Sequence, residues 1–264
     1  MSLKFTILGC GSSGGVPRVG QGWGTCDPAN PKNRRLRCSL LVQRRAGAGV
    51  TSVLVDTSPD LRQQLLTANV NWLDGVLYSH EHADHTHGID DLRGLALAKK
   101  RRVDIYADAA TSNMLFARFG YCFAAPPASD YPPILNAHLL EPLKKLEING
   151  EGDIIEALPV PVRHGDIEAL GFRFGGCLYT PDLNGIDEQH SSCFEGLDIW
   201  IIDALREKQH PSHFSLHDAL AAIARFKPKR AVLTNLHNDM DYAALQPKLP
   251  QNVELAYDGM LLCT

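Results

Sequence analysis

The sequence predicts an α/β protein whose sheets are covered by helices, and two observations support this fold class. Several short strand-like segments come first, and strands then alternate with helix-like segments, which is typical of layered α/β folds rather than an all-β barrel. The 264 residues are 44% hydrophobic and 21% charged, the composition of an ordinary folded protein. Neither an internal repeat nor a low-complexity linker interrupts the chain, so we expect residues 1–264 to form one domain.

The strand predictions depend on short segments that are rich in Val, Ile and Leu and bounded by Gly, Pro or Asp. In chain order they are Leu3–Leu8, Ser39–Val42, Ser52–Asp56, Gly75–Tyr78, Val103–Tyr106, Ile154–Val160, Gly171–Phe174, Ile199–Asp203 and Ala231–Asn235.

The helix predictions depend on capping signals between these strands. Ser58-Pro59 precedes a predicted helix over Asp60–Thr67, with Pro at the first helical position. Ser215 and Asp218 resemble a capping box before the predicted helix Ala219–Phe226. The other predicted helices are Gly88–Lys99, Ala109–Phe119 and Asp241–Leu249.

Charge and cysteine usage narrow the class of protein. The 26 Lys and Arg against 30 Asp and Glu give a formal net charge of −4, so we expect a small anionic substrate rather than long nucleic acid. The seven cysteines form no CxxC pair, which disfavours a disulfide framework and indicates a reduced cytoplasm. No signal peptide and no run of about 18 apolar residues is visible, so no membrane association is expected. The sequence is compatible with a homodimer as well as with a monomer.

Two segments rich in glycine or proline have a structural and a functional interpretation. Gly9, Gly11 and Gly14 match the dinucleotide-binding spacing, but the glycines and prolines that follow open no helix, so this site is disfavoured. These glycines are expected to let the backbone pass close to another group. The proline-rich segment Tyr121–Pro133 is either an active-site lid or surface packing.

The strongest chemical signal is the segment His80-Glu81-His82-Ala83-Asp84-His85. Given the histidine and aspartate content of this chain, such a pattern would arise by chance roughly 0.001 times. Neutral imidazoles and carboxylates are ligands of borderline divalent metals. The segment follows an apolar strand, where a turn can direct several side chains to one place. It therefore predicts a metal site.

Further ligands are expected from later strand ends, because one short segment cannot complete two metal coordination shells. His164 follows the predicted strand Ile154–Val160, Asp182 follows Leu178-Tyr179-Thr180, and His237 follows Ala231–Asn235. Polar ligand types placed just beyond apolar strands favour a shared site for all three.

Together these residues and Asp56, in Leu54-Val55-Asp56-Thr57, resemble the motif set of the metallo-β-lactamase superfamily of hydrolases over nearly the whole chain. The resemblance implies an α/β fold of the αββα four-layer sandwich type, with a two-metal site at one sheet edge. In that family, His80, His82 and His164 would hold one metal, Asp84, His85 and His237 the other, and Asp182 would bridge both.

Within the superfamily, the chain resembles the phosphoribosyl cyclic-phosphate phosphodiesterases of the PhnP type. The similar segments are Gly9–Pro17, Cys38-Ser39-Leu40-Leu41, Gly88–Arg93 and Asn235–Tyr242. His213 matches an additional active-site histidine of that branch. The branch also carries a cysteine cluster for a structural zinc, whereas only Cys26 lies between residues 11 and 37 here.

The implied site suits a phosphodiester. Two divalent cations, two carboxylates and a bridging hydroxide leave a residual charge of about +1, which favours a phosphate oxygen. We therefore expect in-line attack of a metal-bridging hydroxide on phosphorus. Asp84 and His213 are the candidate catalytic residues, with His213 donating a proton to the leaving oxygen. Mn²⁺, Zn²⁺ and Fe²⁺ all suit these ligands.

Supporting roles are assigned to three further residues. Asp56 is expected to orient a ligand histidine rather than to bind metal. Arg34 and Arg35, within the basic run Lys32–Arg37, are candidates for binding substrate phosphate, although such a run is often a solvated face.

Two alternatives remain open at the level of sequence. A transfer-RNA 3′-end endonuclease would share the ligand set, but the negative net charge argues against a large RNA partner. A non-catalytic metal-binding member acting in cofactor biosynthesis would not need the proton donor His213. Thioesterase or lactonase activity is less favoured by the residual positive charge of the site.

Overall fold

The computed structural model describes residues 2–125 and 130–264. The strands of this part of the chain are β1 (Leu3–Gly9), β2 (Ser39–Ala46), β3 (Gly49–Val55), β4 (Gly75–Leu77), β5 (Val103–Ala107), β6 (Leu135–Leu139), β7 (Leu146–Ile148), β8 (Ile155–His164), β9 (Ile167–Phe174), β10 (Cys177–Thr180), β11 (Ile199–Asp203), β12 (Arg230–Thr234), β13 (Val253–Leu255) and β14 (Leu261–Cys263). The α-helices are α1 (Leu61–Thr67), α2 (Ala83–Thr86), α3 (Leu92–Lys99), α4 (Ala109–Phe119), α5 (Leu216–Phe226) and α6 (Tyr242–Leu245). Short 3-10 turns cover Pro31–Asn33, Ile89–Asp91, Gly120–Cys122, Glu188–Phe194 and Gln246–Lys248.

The strands form two seven-stranded sheets. The first has the order β14-β1-β2-β3-β4-β5-β6, and the second has the order β13-β12-β11-β10-β9-β8-β7. Strands β3 to β6 run parallel to one another, as do β10 to β13, while the remaining neighbours are antiparallel. The carboxyl ends of the parallel strands of each sheet therefore meet at one edge, where the chain leaves the strand and can present side chains.

Three apolar cores separate four layers. Between the sheets, Phe5 and Val53 of the first pack in one cluster with Phe172 and Ile201 of the second. The outer face of the first sheet packs against α1, α3 and α4, and the outer face of the second against α5 and α6. Both faces of each sheet are thus buried, which explains the nearly continuous apolar runs of the central strands. The layering confirms the αββα sandwich.

All nine predicted strands are present, several of them longer than predicted. Strand β8 continues through Pro161 to His164, where we expected it to end at Val160. The lack of an amide proton at Pro161 does not break the pairing with β9. Strands β6, β7, β13 and β14 were not predicted, and β10 was noted only as the segment before Asp182. These four are three to five residues long and lie at sheet edges, where sequence patterns are weak.

The helix predictions were correct in place and less accurate at the ends. Helix α4 has the predicted bounds, whereas α5 begins at Leu216 rather than at Ala219, inside the predicted capping box, in which Ser215 Oγ accepts from the Asp218 amide at 3.2 Å. Helix α1 begins one residue later than predicted, at Leu61, with Asp60 rather than Ser58 at its N-cap. The predicted Gly88–Lys99 helix is a 3-10 turn followed by α3, and Pro247 limits α6 to one turn.

The glycines near the N-terminus serve close backbone approach. The Gly11 amide donates to Leu36 O at 2.7 Å, and the following amide, of Ser12, donates to Leu236 O at 3.2 Å. A Cβ at Gly11 would lie 2.9 Å from Arg35 Cβ, and one at Gly9 would overlap the Arg37 carbonyl. These contacts join the loop over residues 10–37 to the segment that follows β12.

Two further sequence predictions concern the chain as a whole. Over the residues that the structure describes, none of the helices is long and apolar enough to cross a membrane. All seven cysteines carry free thiols. The proposed lid, Tyr121–Pro133, includes residues 126–129, which lie outside the described residues.

Candidate metal centre

The segment His80–His85 follows the end of β4 after two intervening residues, at the edge where the parallel strands end. The chain turns there into the short helix α2, with His82 at its N-cap. Thr86 Oγ1 donates to the His82 carbonyl at 2.8 Å and closes this turn. The strand and the one-turn helix together place Nε2 of His80 and of His85 at 3.8 and 3.4 Å from the carboxylate of Asp182, which follows β10 in the second sheet.

Four predicted ligands converge in one group. Their donor atoms all lie within 4.8 Å of one another, although they come from three strand ends in both sheets: His80, His82, His164 and Asp182. His164 Nε2 lies 3.3 Å from His82 Nδ1 and 3.5 Å from Asp182 Oδ2. This is an arrangement of three imidazoles and one carboxylate around a single point, as a borderline divalent metal prefers.

A second group shares the same carboxylate. His85 Nε2 lies 3.4 Å from Asp84 Oδ2 and 3.4 Å from Asp182 Oδ1. Asp182 therefore directs one oxygen toward His164 and the other toward His85. Its side chain is only 3% exposed, and Asn235 Nδ2 donates to Oδ1 at 3.1 Å, which holds the carboxylate plane.

His237 lies at the same edge but is less closely joined to the group. It follows β12, and its amide donates to the Leu205 carbonyl at 2.9 Å. The ring Nδ1–H donates to Asp239 Oδ1 at 3.1 Å. Within residues 2–125 and 130–264, the His237 ring makes no hydrogen bond or ion pair with the other six predicted ligands.

The Nδ1 atoms of the buried histidines are held by neighbours, which leaves Nε2 to face the centre. His85 Nδ1–H donates to Asp56 Oδ2 at 2.7 Å, and His164 Nδ1–H donates to the Ser212 carbonyl at 2.6 Å. Asp56 is fully buried and also accepts hydrogen bonds from the Ser79 amide and hydroxyl. Such an outer partner fixes the tautomer and ring orientation of a ligating histidine.

Unpartnered buried nitrogens test whether the residues fit a metal. In the described part of the chain, Nε2 of His80 and Nε2 of His85 are buried without any hydrogen-bond partner. An unsatisfied buried polar atom costs about 1–3 kcal/mol, so a folded protein rarely keeps two of them side by side. Both atoms face the Asp182 carboxylate. The donor set therefore fits a divalent metal ion.

The protonation states agree with ligation. Burial, together with the neighbouring histidines, holds the pKa of His80 well below its usual value, so its ring is neutral and can donate a lone pair. Burial raises the pKa of Asp182, but His85 and other imidazoles outweigh burial and hold that pKa well below its usual range. Burial also lowers the pKa of His85, while the carboxylates of Asp182, Asp84 and Asp56 outweigh burial and raise it. A cation among these carboxylates would replace that proton.

His213 stands beside the metal group and not within it. Its ring lies 4.6 Å from the His164 ring, centroid to centroid, and Nδ1–H donates to Asp203 Oδ2 at 2.8 Å. Burial lowers the pKa of His213, but the Asp203 carboxylate outweighs it and raises the pKa to about 9. The ring therefore carries a proton at neutral pH, as a proton donor needs.

Asp203 is a functional residue that sequence reasoning missed. It is the last residue of β11, is fully buried, and accepts hydrogen bonds from His213 and from the Leu183 amide. The signal was present, because Asp203 ends a predicted apolar strand just as Asp56 does. The ring of His210 lies 5.1 Å from that of His213, centroid to centroid.

The two candidate substrate-binding arginines differ from each other. Arg34 is exposed and lies over the Trp23 ring, 5.1 Å from its centroid. Arg35 is only 1% exposed, and its guanidinium donates to the carbonyls of His237 and Met240. The expected phosphate contact is therefore wrong for Arg35, because its side chain is buried and both terminal nitrogens of the guanidinium donate inside the protein.

Comparisons with known proteins agree with this geometry. The model of the beta-lactamase superfamily domain matches residues 51–235. The crystal structure of a new diphosphatase from the PhnP family is 33% identical, has a TM-score of 0.88, and matches 100% of this chain and 98% of that one. The short form of human tRNase Z is 18% identical, with a TM-score of 0.63 and 98% of both chains covered, which shows a shared fold.

A curated relative is longer than this chain. An octanoyltransferase of Porphyromonas gingivalis (strain ATCC BAA-308 / W83) is 31% identical over 263 residues, which are 98% of this chain and 51% of that protein. The chain thus spans about half the length of the curated relative that it matches. With the family match over residues 51–235 and the histidine–aspartate group at the sheet edge, this chain belongs to the beta-lactamase superfamily.

Proposed function

We propose that the protein is a dinuclear metal-dependent phosphodiesterase that hydrolyses a small or cyclic nucleotide-like or ribose phosphodiester. The observation that carries this proposal is the position of Asp182, whose two oxygens face two separate groups of ligands. The likeness to a PhnP-family diphosphatase supports chemistry at phosphorus. Location in the cytoplasm and a homodimer stay predictions.

The ligand assignment follows from the two groups. His80, His82 and His164 would hold one cation, Asp84, His85 and His237 the other, and Asp182 would touch both. When bound, two divalent cations would act as Lewis acids on the phosphate oxygens and lower the pKa of water between them. Zn²⁺, Mn²⁺ and Fe²⁺ all suit imidazole and carboxylate ligands.

The protein's own residues then orient the reactants and move protons. Asp84 is partly exposed at 18%, beside His85, where it can accept a hydrogen bond from the attacking water. His213 can donate its Nε2 proton to the leaving oxygen, while Asp203 holds Nδ1 and keeps the ring oriented. The histidine thus stands to one side of the ligands, where a leaving group could reach it.

A diphosphatase is the second candidate. It is favoured by the solved PhnP-family relative, which matches the whole of this chain. The same ligand set and the same proton donor would serve attack on a phosphoric anhydride. The transfer-RNA endonuclease is less favoured, because the net charge of −4 gives no general attraction for a large RNA. A non-catalytic metal carrier would have no use for the buried His213–Asp203 pair.

A substrate panel tests these candidates. Protein loaded with Mn²⁺ or Zn²⁺ is incubated with bis(p-nitrophenyl) phosphate, a cyclic ribose phosphate, a nucleoside diphosphate derivative, a precursor tRNA and a thioester. We expect hydrolysis of the small phosphodiesters, and loss of that activity in His80→Ala. Cleavage of the thioester alone, or of nothing in the panel, would contradict the proposal.

A further inference from the structure

The buried guanidinium of Arg35 connects the loop over residues 10–37 with the turn that carries His237. Arg35 NH2 donates to the Met240 carbonyl at 2.7 Å and to Asn33 Oδ1 at 3.3 Å, and NH1 donates to the His237 carbonyl at 3.2 Å. The Met240 amide donates to the His237 carbonyl at 3.1 Å, so these two carbonyls bracket a single turn. One planar side chain therefore holds both ends of the turn.

This arginine is buried without a carboxylate partner. Within the described ranges, no carboxylate oxygen lies within 4.0 Å of its nitrogens, and its acceptors are carbonyl, amide and thiol groups. Burying a charge is expensive unless it is paired, so a hydrophobic residue of similar volume would serve packing alone equally well. A hydrophobic residue could not donate hydrogen bonds to the two carbonyls, as the fork of the two terminal nitrogens of the guanidinium does.

Asn33 extends the same connection. It is fully buried, its Oδ1 accepts from the Tyr242 amide at 2.8 Å, and its Nδ2 donates to Asp241 Oδ2 at 2.6 Å. Arg35 and Asn33 together bind residues 237–242 at four points. On the other side, Arg35 pairs with Val16 through two backbone hydrogen bonds, of 2.8 and 2.9 Å, which fixes the arginine in the loop.

The position of His237 depends on this turn more than on its neighbours. Among the residues that the structure describes, Asp239 is the one partner of its ring, and it is part of the same turn. The conformation of the turn therefore decides where Nε2 of His237 points. The same loop also contacts this turn at Asn238, whose carbonyl accepts from the Thr25 amide at 2.9 Å, while Arg35 binds the carbonyls at both ends of the turn.

We propose that Arg35 is a positioning residue for the second metal ion: its guanidinium holds the His237–Met240 turn so that His237 can complete that ion's coordination. The inference rests on the proposed dinuclear function. Arg35 itself touches neither metal nor substrate. Removing the Arg35 side chain should lower the affinity for the second metal ion about 10–100-fold, the range seen when residues that hold metal ligands in place are lost. The affinity for the ion of His80, His82 and His164 should not change.

The test measures metal binding and not activity. Apo protein is titrated with Mn²⁺ or Zn²⁺, and bound metal is counted by elemental analysis after gel filtration. We expect two equivalents for the wild type, one tight equivalent for His237→Ala, and one tight plus one weakened equivalent for Arg35→Ala. Arg35→Lys keeps the charge but not the fork, and should show a smaller weakening.

A control variant and a chemical rescue show whether the change in metal binding is specific to Arg35. Arg173→Ala is the matched control, because Arg173 also donates to two backbone carbonyls, those of Gly175 and Cys193, in another part of the second sheet. Guanidinium ion at millimolar concentration should restore the second equivalent to Arg35→Ala, and ammonium should not.

The outcomes separate the two proposals. A wild type that binds a single equivalent contradicts the dinuclear function. A wild type with two equivalents and Arg35 variants with unchanged second affinity overturn the positioning role. If near-ultraviolet circular dichroism shows both Arg35 variants unfolded while Arg173→Ala is folded, Arg35 serves general stability and the inference is also overturned.

Discussion

Two buried aspartates at strand ends show how surroundings assign different roles to the same residue type. Asp182 faces four imidazoles, those of His80, His85, His164 and His213, which stabilise its charge, as the proposed shared ligand requires. Asp203 is equally buried but faces the single ring of His213. Burial raises the pKa of Asp203 to about 7. A buried carboxylate that contacts one histidine can orient that ring as a proton donor. A carboxylate surrounded by several histidines is suited to bind a metal ion together with them.

Asp203→Asn should separate proton donation from metal binding. An amide cannot stabilise a charged His213 ring as a carboxylate does, so turnover of a dialkyl phosphodiester should fall about 10²–10⁴-fold. Bis(p-nitrophenyl) phosphate should be affected far less, because p-nitrophenolate leaves without a proton. Steady-state kinetics with both substrates and metal analysis check this. An equal loss on both substrates, or a loss of metal, would show that Asp203 acts in another way.

At the scale of elements, each site residue depends on how its strand or helix begins or ends. Helix α5 starts three residues after His213, at Leu216, with Ser215 as its N-cap in a capping box with Asp218. Ser215 is fully buried, and its hydroxyl lies 2.6 Å from Asp218 Oδ2. The cap therefore determines where the loop that carries His213 ends and helix α5 begins.

Ser215→Ala should destabilise the protein by about 1 kcal/mol, within the range of about 0.5–2 kcal/mol for loss of an N-cap. The physical reason is that the Asp218 amide loses its acceptor. Urea denaturation measures the free energy of unfolding. Ser192→Ala, at an exposed serine of a 3-10 turn, is the control and should change it by less than about 0.5 kcal/mol. Equal stability of Ser215→Ala and wild type would mean that the box contributes nothing.

At the scale of the whole molecule, the two sheets bring together residues that are far apart in the chain. The ligand group draws on strands β4, β8 and β10, so it exists only when both sheets have formed and packed. An unfolded chain separates these ligands and binds a cation poorly. Metal binding is therefore linked to folding.

Metal should raise the melting temperature. A free cation at about 100 times its dissociation constant adds about 2.7 kcal/mol, which corresponds to roughly 5–10 °C for a chain of this size. Differential scanning fluorimetry with EDTA and with Mn²⁺ or Zn²⁺ measures the shift. The double variant His80→Ala, His164→Ala should lose it. A shift that persists in the double variant would place the stabilising ion elsewhere.

The sequence by itself was sufficient for features encoded within a few neighbouring residues. These include the nine predicted strands, the capping box at Ser215, and the presence of potential metal ligands in the segment His80–His85. It also located Asp182 and His164, because ligand residue types follow apolar strands and parallel strands end at one edge. Short edge strands and helix ends were less accurate, since few residues encode them and tertiary packing decides their extent.

Only the tertiary structure decided which side chains meet. Arg35 was grouped with exposed basic neighbours, but folding buries it against the His237 turn, more than 200 positions away in the chain. Asp203 gained its role from a histidine on another loop. Burial and partners depend on how two sheets pack, and a linear pattern carries little information about contacts between distant segments.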